Sequence, residues 1–211
     1  MSRAPQMRRA DRSMSDADTL QMLATGFCGR LATMGADGWP YVVPFLYVWM
    51  DRQVFVHRTN AGGHLADNLR ANPRVCFEID APDEVFAYGR YECDTGLAYA
   101  SVIAFGSMRL VEDLALKTRF CVELMRKYAD PSWDRPRDFF PRLGEIDVYA
   151  MTIDRLTGKQ QLLPEISQRW PALDRTKSPH AMPSRSRETE RREPADTGAA
   201  PGSASRQVPP R

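Results

Sequence analysis

Alternating apolar and polar residues predict β-strands over most of residues 27–58. Residues 27–34 and 39–50 form two such runs, and the four residues between them are Gly35-Ala36-Asp37-Gly38. Asp-Gly between two apolar runs is typical of a tight hairpin turn. A third run over 53–58 follows Asp51-Arg52. The pattern therefore predicts three strands in an antiparallel meander.

Two prolines interrupt the second of these strands. Pro40 and Pro44 lie inside the run 39–50, and neither has an N–H group that can join a strand ladder. We therefore expect this strand to lie at the edge of a sheet or to carry a kink. A kink would expose the backbone of residues 41–44.

The third strand presents two different sets of side chains, because neighbouring residues of a strand face opposite sides of the sheet. One face carries Phe55, His57 and Thr59, and the other carries Val54, Val56 and Arg58.

A glycine turn follows this strand. Within residues 54–75, the chain is predicted to end the strand, turn at Ala61-Gly62-Gly63 and begin a short helix. Backbone N–H groups at a helix N-terminus lack partners and carry the positive end of the helix dipole. With Arg58, Thr59 and Asn60 beside them, they predict a phosphate-binding corner. The alternative is an ordinary corner in which Asn60 caps the helix.

Three amphipathic helices are predicted around the strands. The first begins at Ser15, with Asp18 completing a capping box, and ends at Gly26. The second follows Gly63 and ends at Asn72-Pro73, since proline disfavours helical geometry in the residue before it. The third is capped by Asp113 and runs to about Tyr128. Its buried stripe is Phe120, Cys121, Leu124, Met125 and Tyr128.

Further strands are predicted over 74–79, 97–111 and 146–154, whereas 81–96 reads as a loop with one irregular strand around 86–93. The aromatic, proline-punctuated stretch 130–142 is predicted to be a lid or part of a subunit interface. Six or so antiparallel strands with two or three peripheral helices predict a mainly β fold with α elements, a small β-barrel.

Composition sets the limits of the folded region. Eight of the 16 prolines follow Leu163, and no aromatic residue follows Trp170. Such a segment cannot bury enough apolar surface to offset its ordering entropy. We expect a disordered N-terminus over 1–13, one domain over 14–163, and a largely disordered tail over 164–211.

The net charge of +2 combines unlike regions. Residues 1–12 carry four arginines and one aspartate, and residues 164–211 carry nine basic and six acidic side chains. Subtracting both from the totals of 29 and 27 leaves 16 basic and 20 acidic residues in the body. An acidic body argues against a specific nucleic-acid platform.

The cysteines and the hydropathy pattern indicate a reducing compartment. Cys28, Cys76, Cys93 and Cys121 show no CxxC spacing, so we expect neither a disulfide framework nor a zinc site. No stretch approaches the roughly 18 apolar residues of a membrane span, and the N-terminus lacks the apolar core of a signal peptide. We therefore expect a cytoplasmic protein.

Few residues suit nucleophilic or metal chemistry. His57 and His64 are the only histidines of the body, and no GxSxG motif is present. A metal bound by His57, His64 and Asp67 is a weakly supported alternative, because a seven-residue spacing across a glycine turn is a poor ligand signature.

The order of these motifs resembles a known family. The segments GRLATMGADGWPYVVPFLYVW, VFVHRTNAGGHLADNLRANPRVCFEID and YASVIAFGSMRLVED, followed by the helix that ends at Tyr128, are similar to the flavin-binding split-barrel proteins related to pyridoxamine 5'-phosphate oxidase. Within that group, the nitroimidazole-resistance (Nim) type flavoproteins are the most similar. The resemblance spans about residues 16–159.

The resemblance implies a split-barrel homodimer with FMN in clefts between the subunits. It places Tyr41, Val42, Val43 and Pro44 along the isoalloxazine ring. It places His57, Arg58, Thr59 and Asn60 beside the ribityl phosphate, with His57 matching the histidine of the reactive centre. Ser101 and Val102 are implied to reach the cofactor, and Arg30 is a weaker match.

One departure from the family bears on the phosphate. Relatives usually carry a basic pair after the glycine, where this chain has Gly63-His64. A neutral histidine contributes a hydrogen bond but no full charge, and Arg58 is the candidate for the missing cation. A deazaflavin or haem remains an alternative ligand.

The sequence thus supports two classes of function. The first is an FMN-dependent oxidoreductase of the nitroreductase type, which reduces a small, planar, electron-poor substrate. The second is a module that binds flavin or haem without turnover. A third interpretation makes His57 a haem ligand in a haem-degrading relative of the family.

Overall fold

Seven strands form one antiparallel sheet in the part of the chain that the structure describes. They are β1 (Gly29–Met34), β2 (Pro40–Phe45), β3 (Val48–Met50), β4 (Gln53–Thr59), β5 (Arg74–Ala87), β6 (Thr95–Leu110) and β7 (Ile146–Gln161). The computed structural model describes residues 7–91, 93–133, 139–165 and 168–169. The sheet order is β2-β1-β5-β6-β7-β4-β3, which confirms the predicted mainly β, split-barrel class.

The predicted three-stranded meander is wrong in one respect. Both hairpins exist, because β1 pairs with β2 and β3 pairs with β4. The run 39–50 is however two strands, β2 and β3, which lie at opposite edges of the sheet. The expected edge position of the proline-containing strand is therefore confirmed, and the chain crosses the split of the barrel at residues 46–47.

Side chains of a distant helix stabilise this crossing. The Tyr128 hydroxyl accepts from the Tyr47 N–H at 3.2 Å and lies 2.7 Å from the Phe27 carbonyl and 2.9 Å from the Tyr47 carbonyl, its two possible acceptors. Lys127 Nζ donates to the Tyr47 carbonyl at 3.2 Å. The Tyr47 ring itself is fully buried and donates its hydroxyl to the Leu23 carbonyl at 2.6 Å. These bonds take the place of strand pairing at Tyr47, which lies between the end of β2 and the start of β3.

Lys127 gives the fold a measurable pH dependence. Burial lowers the pKa of its ammonium from 10.5 to about 8, and the ammonium lies 3.8 Å from the centre of the Tyr47 ring. The unfolded chain then holds this proton more tightly than the folded chain, so stability rises between pH 8 and about 10.5. We expect wild type to gain stability relative to Lys127→Met between pH 7.5 and pH 9.5.

Urea unfolding of both proteins at both pH values measures this difference. Methionine fills a similar volume and does not titrate, so other groups shift both proteins equally. An unchanged gap between wild type and Lys127→Met would show that Lys127 does not titrate in this range.

The strands β5, β6 and β7 are longer than predicted. Residues 81–87 continue β5 and pair with the start of β6, apart from an irregularity between Pro82 and Val85, so the predicted loop over 81–96 is mostly a hairpin. Strand β7 continues past Asp154 to Gln161 because it pairs with β6 as far as Tyr99. Neighbouring strands override the weak local pattern in both cases.

Three α-helices are described, and their boundaries agree with the predictions: α1 (Asp16–Thr25), α2 (His64–Ala71) and α3 (Leu114–Tyr128). Ser15 caps α1 by accepting from the Asp18 N–H at 3.1 Å, and Asp113 caps α3 by accepting from the Ala115 N–H at 2.8 Å. None of these helices combines the length and hydrophobicity needed to cross a lipid bilayer.

Two hydrophobic cores lie on opposite faces of the sheet. The inner core fills the barrel with Leu31, Tyr47, Val54, Phe77 and Val102 among its members. The second core lies between α3 and the other face of β3, β4 and β7, and contains Phe55, Phe120, Val148 and Ala150. The burial of Phe120 and Cys121 confirms the predicted stripe of α3, whose Leu124, Met125 and Tyr128 are half-buried.

A third surface, here called the outer face, has half-exposed side chains from β2, β1, β5, β6 and the end of β7. Cross-strand pairing aligns Val42, Ala32, Cys76, Phe105 and Arg155 in one row. A second row runs through Pro44, Arg30, Glu78, Ile103 and Thr157.

The ends of the chain lie largely outside the described residues. Within the predicted disordered stretch 1–13, Ala10–Arg12 forms a turn of 3-10 helix and Ser13 bridges to Lys159, so residues 10–13 have defined structure. The chain divides into the units Met1–Trp170 and Pro171–Arg211. The second unit, which makes up most of the predicted tail, lies outside the described residues. Residues 134–138 of the predicted lid also lie outside them.

Candidate functional site

The glycine turn before α2 leaves the start of that helix open. Gly62 and Gly63 have φ values of 77° and 115°, which favour glycine. Gly63 is the N-cap, and no side chain accepts from the first N–H groups. A Cβ built on Gly62 meets nothing within 4 Å, and one on Gly63 meets only Arg58 Nη2 at 4.0 Å. The turn therefore has room for an anion at the helix N-terminus.

The Arg58 side chain is hydrogen-bonded within the chain, next to the glycine turn. It is 13% exposed, donates to Asp147 Oδ2 at 2.9 Å, and donates to the Gly62 carbonyl. The guanidinium is therefore bonded within the chain, with Nη2 4.0 Å from a Cβ built on Gly63, and its role as the cation for phosphate stays a prediction. Tyr149 lies beside it, and burial raises the pKa of that phenol.

Asn60 and Thr59 are also held by the chain. The Asn60 amide donates to the Gly144 carbonyl at 2.8 Å, and its backbone N–H donates to the Glu145 carbonyl at 3.0 Å. Asn60 is therefore not the cap of α2, so that alternative is wrong. Thr59 is exposed at the end of β4, where it pairs with Ile146.

His64 connects the helix start to the free edge of β2. Its ring stacks on Tyr41 with centroids 4.6 Å apart and an interplanar angle of 12°. Val42 is 57% exposed, Pro44 is exposed, and Val43 is half-buried. An edge strand leaves one row of backbone N–H and C=O groups unpaired. These groups and the N-terminus of α2 thus lie on either side of the His64–Tyr41 stack.

His57 lies on the opposite face of β4 from Arg58, as the alternation predicted. Its ring is 5.6 Å from that of Phe120, centroid to centroid. Nδ1 is buried without a hydrogen-bond partner, while Nε2, which also makes no hydrogen bond, remains in contact with solvent. Burial lowers the pKa of His57 below its usual 6.5, so the imidazole is neutral at pH 7.

The remaining predicted residues, Val102, Ser101 and Arg30, lie outside the glycine turn and the edge of β2. The Val102 side chain is fully buried in the inner core, and the predicted contact of this residue with a cofactor stays a prediction. Ser101 is half-buried on the outer face, paired with Asp80 and Lys159. Three strand spacings, roughly 14 Å, separate its strand from β2. Arg30 is bonded to Glu78 at 3.5 Å and to Asp80.

One chain therefore brings together Tyr41, His64 and the glycine turn, and keeps Ser101 apart. Sequence reasoning missed Asp147, which binds Arg58 across 89 residues of chain and has no local signal. No three His, Cys, Asp or Glu side chains converge on a metal position among the described residues.

Comparison with known proteins identifies the family. Residues 15–160 match the family model described as pyridoxamine 5'-phosphate oxidase. The chain belongs to the pyridoxamine 5'-phosphate oxidase family. This match covers most of the chain and confirms the resemblance seen in the sequence motifs. No curated protein matches the chain significantly.

Solved structures share the fold at low sequence identity. The flavocytochrome Anf3 from Azotobacter vinelandii is 18% identical with a TM-score of 0.64, over 85% of this chain and 90% of that one. A putative 5-nitroimidazole antibiotic resistance protein from Bacteroides thetaiotaomicron is 19% identical with a TM-score of 0.56, over 69% and 83%. An FAD-binding protein from Mesorhizobium loti is 24% identical with a TM-score of 0.52, over 71% and 97%.

Proposed function

We propose that this member of the pyridoxamine 5'-phosphate oxidase family is a flavin-dependent oxidoreductase that reduces a small, planar, electron-poor substrate. The observation that carries the proposal is the N-terminus of α2, which is lined by glycine and uncapped by any side chain. The His64–Tyr41 stack joins it to the free edge of β2. An anion site beside an open strand edge suits a phosphorylated planar cofactor.

In this proposal, different residues bind the phosphate and the ring of the cofactor. The first N–H groups of α2, with His64 and Thr59, hold the phosphate, which gains roughly 0.3–2 kcal/mol from the helix dipole. The edge of β2 from Tyr41 to Pro44 binds the ring through its unpaired backbone groups. Arg58 and Asn60 act indirectly, by fixing the turn through Asp147 and Gly144. A bound flavin supplies the redox chemistry, taking up electrons and passing them to an acceptor.

His57 contributes a neutral imidazole. Because its pKa is lowered by burial, it remains uncharged at pH 7 and offers a nitrogen for hydrogen bonding to a substrate. His64, the first residue of α2, is the histidine at the glycine turn, whereas His57 lies on the other face of β4, against Phe120. The reductive chemistry is assigned to the cofactor, and orientation of the substrate to His57.

We take FMN as the cofactor, since one phosphate suits one helix N-terminus. FAD and a deazaflavin are the alternatives, and the Mesorhizobium loti protein is described as FAD-binding. A homodimer is part of the proposal, because Ser101 lies too far from β2 to reach a ring held by the same chain. A second copy that approaches through its outer face would supply Ser101 to the site.

Absorption spectroscopy tests the proposal directly. We expect the purified protein to show the visible absorption bands of a flavin, or to shift the bands of FMN on titration with it. Reduced, flavin-loaded protein should then be reoxidised faster by nitroaromatics or quinones than free reduced FMN is. A protein that binds neither FMN, FAD nor a deazaflavin would refute the assignment.

A binding module without turnover is the second candidate. It is favoured by the engagement of Arg58 with Asp147, which leaves the phosphate site without a free strong cation. Flavin-loaded protein that shows no acceleration by any acceptor would support it. Haem binding through His57 is tested by addition of haemin, which should give no shifted Soret band if flavin is the ligand.

Substitution of His64 tests the position of the phosphate. We expect His64→Lys to tighten FMN binding about three- to tenfold, because a full positive charge is added beside the anion. Riboflavin, which lacks the phosphate, should gain no affinity. His64→Gln controls for loss of the stack on Tyr41. Equal changes for FMN and riboflavin would show that the phosphate lies elsewhere.

A further inference from the structure

We propose that Thr33 and Asn68 are positioning residues of the flavin site, which fix the N-terminus of α2 relative to the edge of β2. This inference rests on the proposed function, because that function assigns the phosphate to α2 and the ring to β2. Asn68 Nδ2 donates to Thr33 Oγ1 at 3.0 Å, so a side-chain hydrogen bond joins α2 to β1. This bond is here called the Asn68–Thr33 bridge.

The bridge is polar but lies in the interior. Asn68 is 3% exposed and Thr33 is 4% exposed. Within the described ranges, Thr19 is the only other residue buried to this degree among the serines, threonines, amides and charged residues. A buried hydrogen bond does not compete with water, and loss of one partner leaves the other unsatisfied. The bridge therefore holds α2 on β1 more firmly than an exposed bond would.

The bridge continues to β2 through the Thr33 hydroxyl. Thr33 is the cross-strand partner of Tyr41 in the first hairpin. Its Oγ1 lies 3.4 Å from the Tyr41 carbonyl, to which it donates. A hydroxyl has one proton and two lone pairs, so Thr33 accepts from Asn68 and donates to Tyr41 at the same time. The bridge thus connects α2 to the strand whose free edge is assigned to the ring.

A second contact of α2 lies on the same face of the helix. Asn68 follows His64 by four residues, and side chains at this spacing are neighbours on a helix surface. His64 stacks on Tyr41, while Asn68 bonds to Thr33, the residue opposite Tyr41. One contact is exposed and the other is buried. Two contacts at different points of α2 set both its position along the hairpin and its rotation.

A ligand that spans both elements gains from this arrangement. In the proposed site, FMN places its phosphate at α2 and its ring at β2, so the second contact forms within a molecule that is already bound. The gain depends on a constant distance between the two elements. Riboflavin uses β2 alone and does not depend on this distance. We therefore expect the bridge to contribute to the affinity for FMN and not to the affinity for riboflavin.

The test compares the binding of FMN and riboflavin by Thr33→Val and by Thr33→Val combined with Asn68→Leu. Valine and leucine are close in size to the residues they replace, and the double variant leaves no buried donor unpaired. We expect the Kd of FMN to rise about tenfold in both variants, because the effective concentration of the second contact falls. The Kd of riboflavin should stay the same.

Two further variants serve as controls. Thr33→Ser keeps the hydroxyl and should retain the wild-type affinity for FMN. Thr19→Val removes the hydroxyl of an equally buried threonine in α1, where Oγ1 donates to the Ser15 carbonyl at 2.8 Å. This substitution should change neither affinity, because α1 carries no part of the proposed site.

Hydrogen exchange provides a measurement that needs no flavin. Mass spectrometry of peptides from α2 and α3 reports how firmly each helix is held. We expect faster exchange in α2 of the double variant, with α3 unchanged, and no change of α2 in Thr19→Val. Faster exchange in α2 with an unchanged ratio of FMN to riboflavin affinity would show a structural bond only, which overturns the positioning role.

The outcomes separate this inference from the proposed function. If wild type binds both flavins and the double variant keeps the same ratio of affinities, the positioning role is overturned and the proposed function stands. Equal losses of affinity for FMN and riboflavin would show that the bridge supports the ring site itself, which also overturns the role. A wild type that binds no flavin would refute the proposed function and the positioning role together.

Discussion

Gly63→Ala is expected to weaken FMN binding at least tenfold. Gly63 has φ 115°, a region that alanine enters only at a cost of about 1–3 kcal/mol. The nearest atom to a new Cβ would be Arg58 Nη2 at 4.0 Å, so the effect comes from the backbone and not from a clash. Rotation of this residue turns the first N–H groups of α2 away from the anion. Fluorescence quenching of FMN on titration measures the affinity.

Gly38→Ala is the matched control for this substitution. Gly38 also has a positive φ, 83°, and nothing within 4 Å of a built Cβ, but it lies in the turn between β1 and β2. Both variants should lose about 1–3 kcal/mol of stability, and only Gly63→Ala should lose affinity. Equal losses of affinity would mean that the glycine turn does not hold the phosphate.

His57→Phe is expected to stabilise the protein and to slow reoxidation of the reduced flavin. A buried polar atom without a partner costs about 1–3 kcal/mol, and Nδ1 of His57 is such an atom. Phenylalanine removes it and extends the contact with Phe120. We expect a gain of about 1–2 kcal/mol in the free energy of unfolding together with a loss of at least tenfold in rate.

The pH dependence of stability tests the same residue. The pKa of His57 is lowered below 6.5 in the folded state, so its contribution is present above pH 6.5 and is lost as the pH falls towards the folded value. Denaturant unfolding at pH 7.5 and pH 5 should show a smaller loss for His57→Phe than for wild type. A destabilised His57→Phe with normal reoxidation would mean that His57 has a structural role alone.

Local sequence was sufficient for the hairpins and helix caps. Asp37-Gly38, Ser15 and Asp113 each act within a few residues, and each prediction is confirmed. The division of 39–50 into two strands was not predictable in this way. It depends on hydrogen bonds to Tyr47 from Lys127 and Tyr128, which are 80 and 81 residues away.

The candidate site was predictable in position but not in contacts. Resemblance to the family pointed to the glycine turn and the edge of β2. It did not reveal that Arg58 is bonded to Asp147 or that Val102 is buried in the inner core. A residue's partners come from strands paired across long stretches of chain, and a local motif does not contain them.

The hydroxyl of Tyr128 has a consequence for motion. The Tyr47 N–H bonds to this helix side chain, while its carbonyl lies within reach of the same hydroxyl and of Lys127. The last turn of α3 thus holds the chain where it passes from one edge of the sheet to the other. We therefore expect fraying of this turn to release residues 46–47 and to open the barrel beside β2.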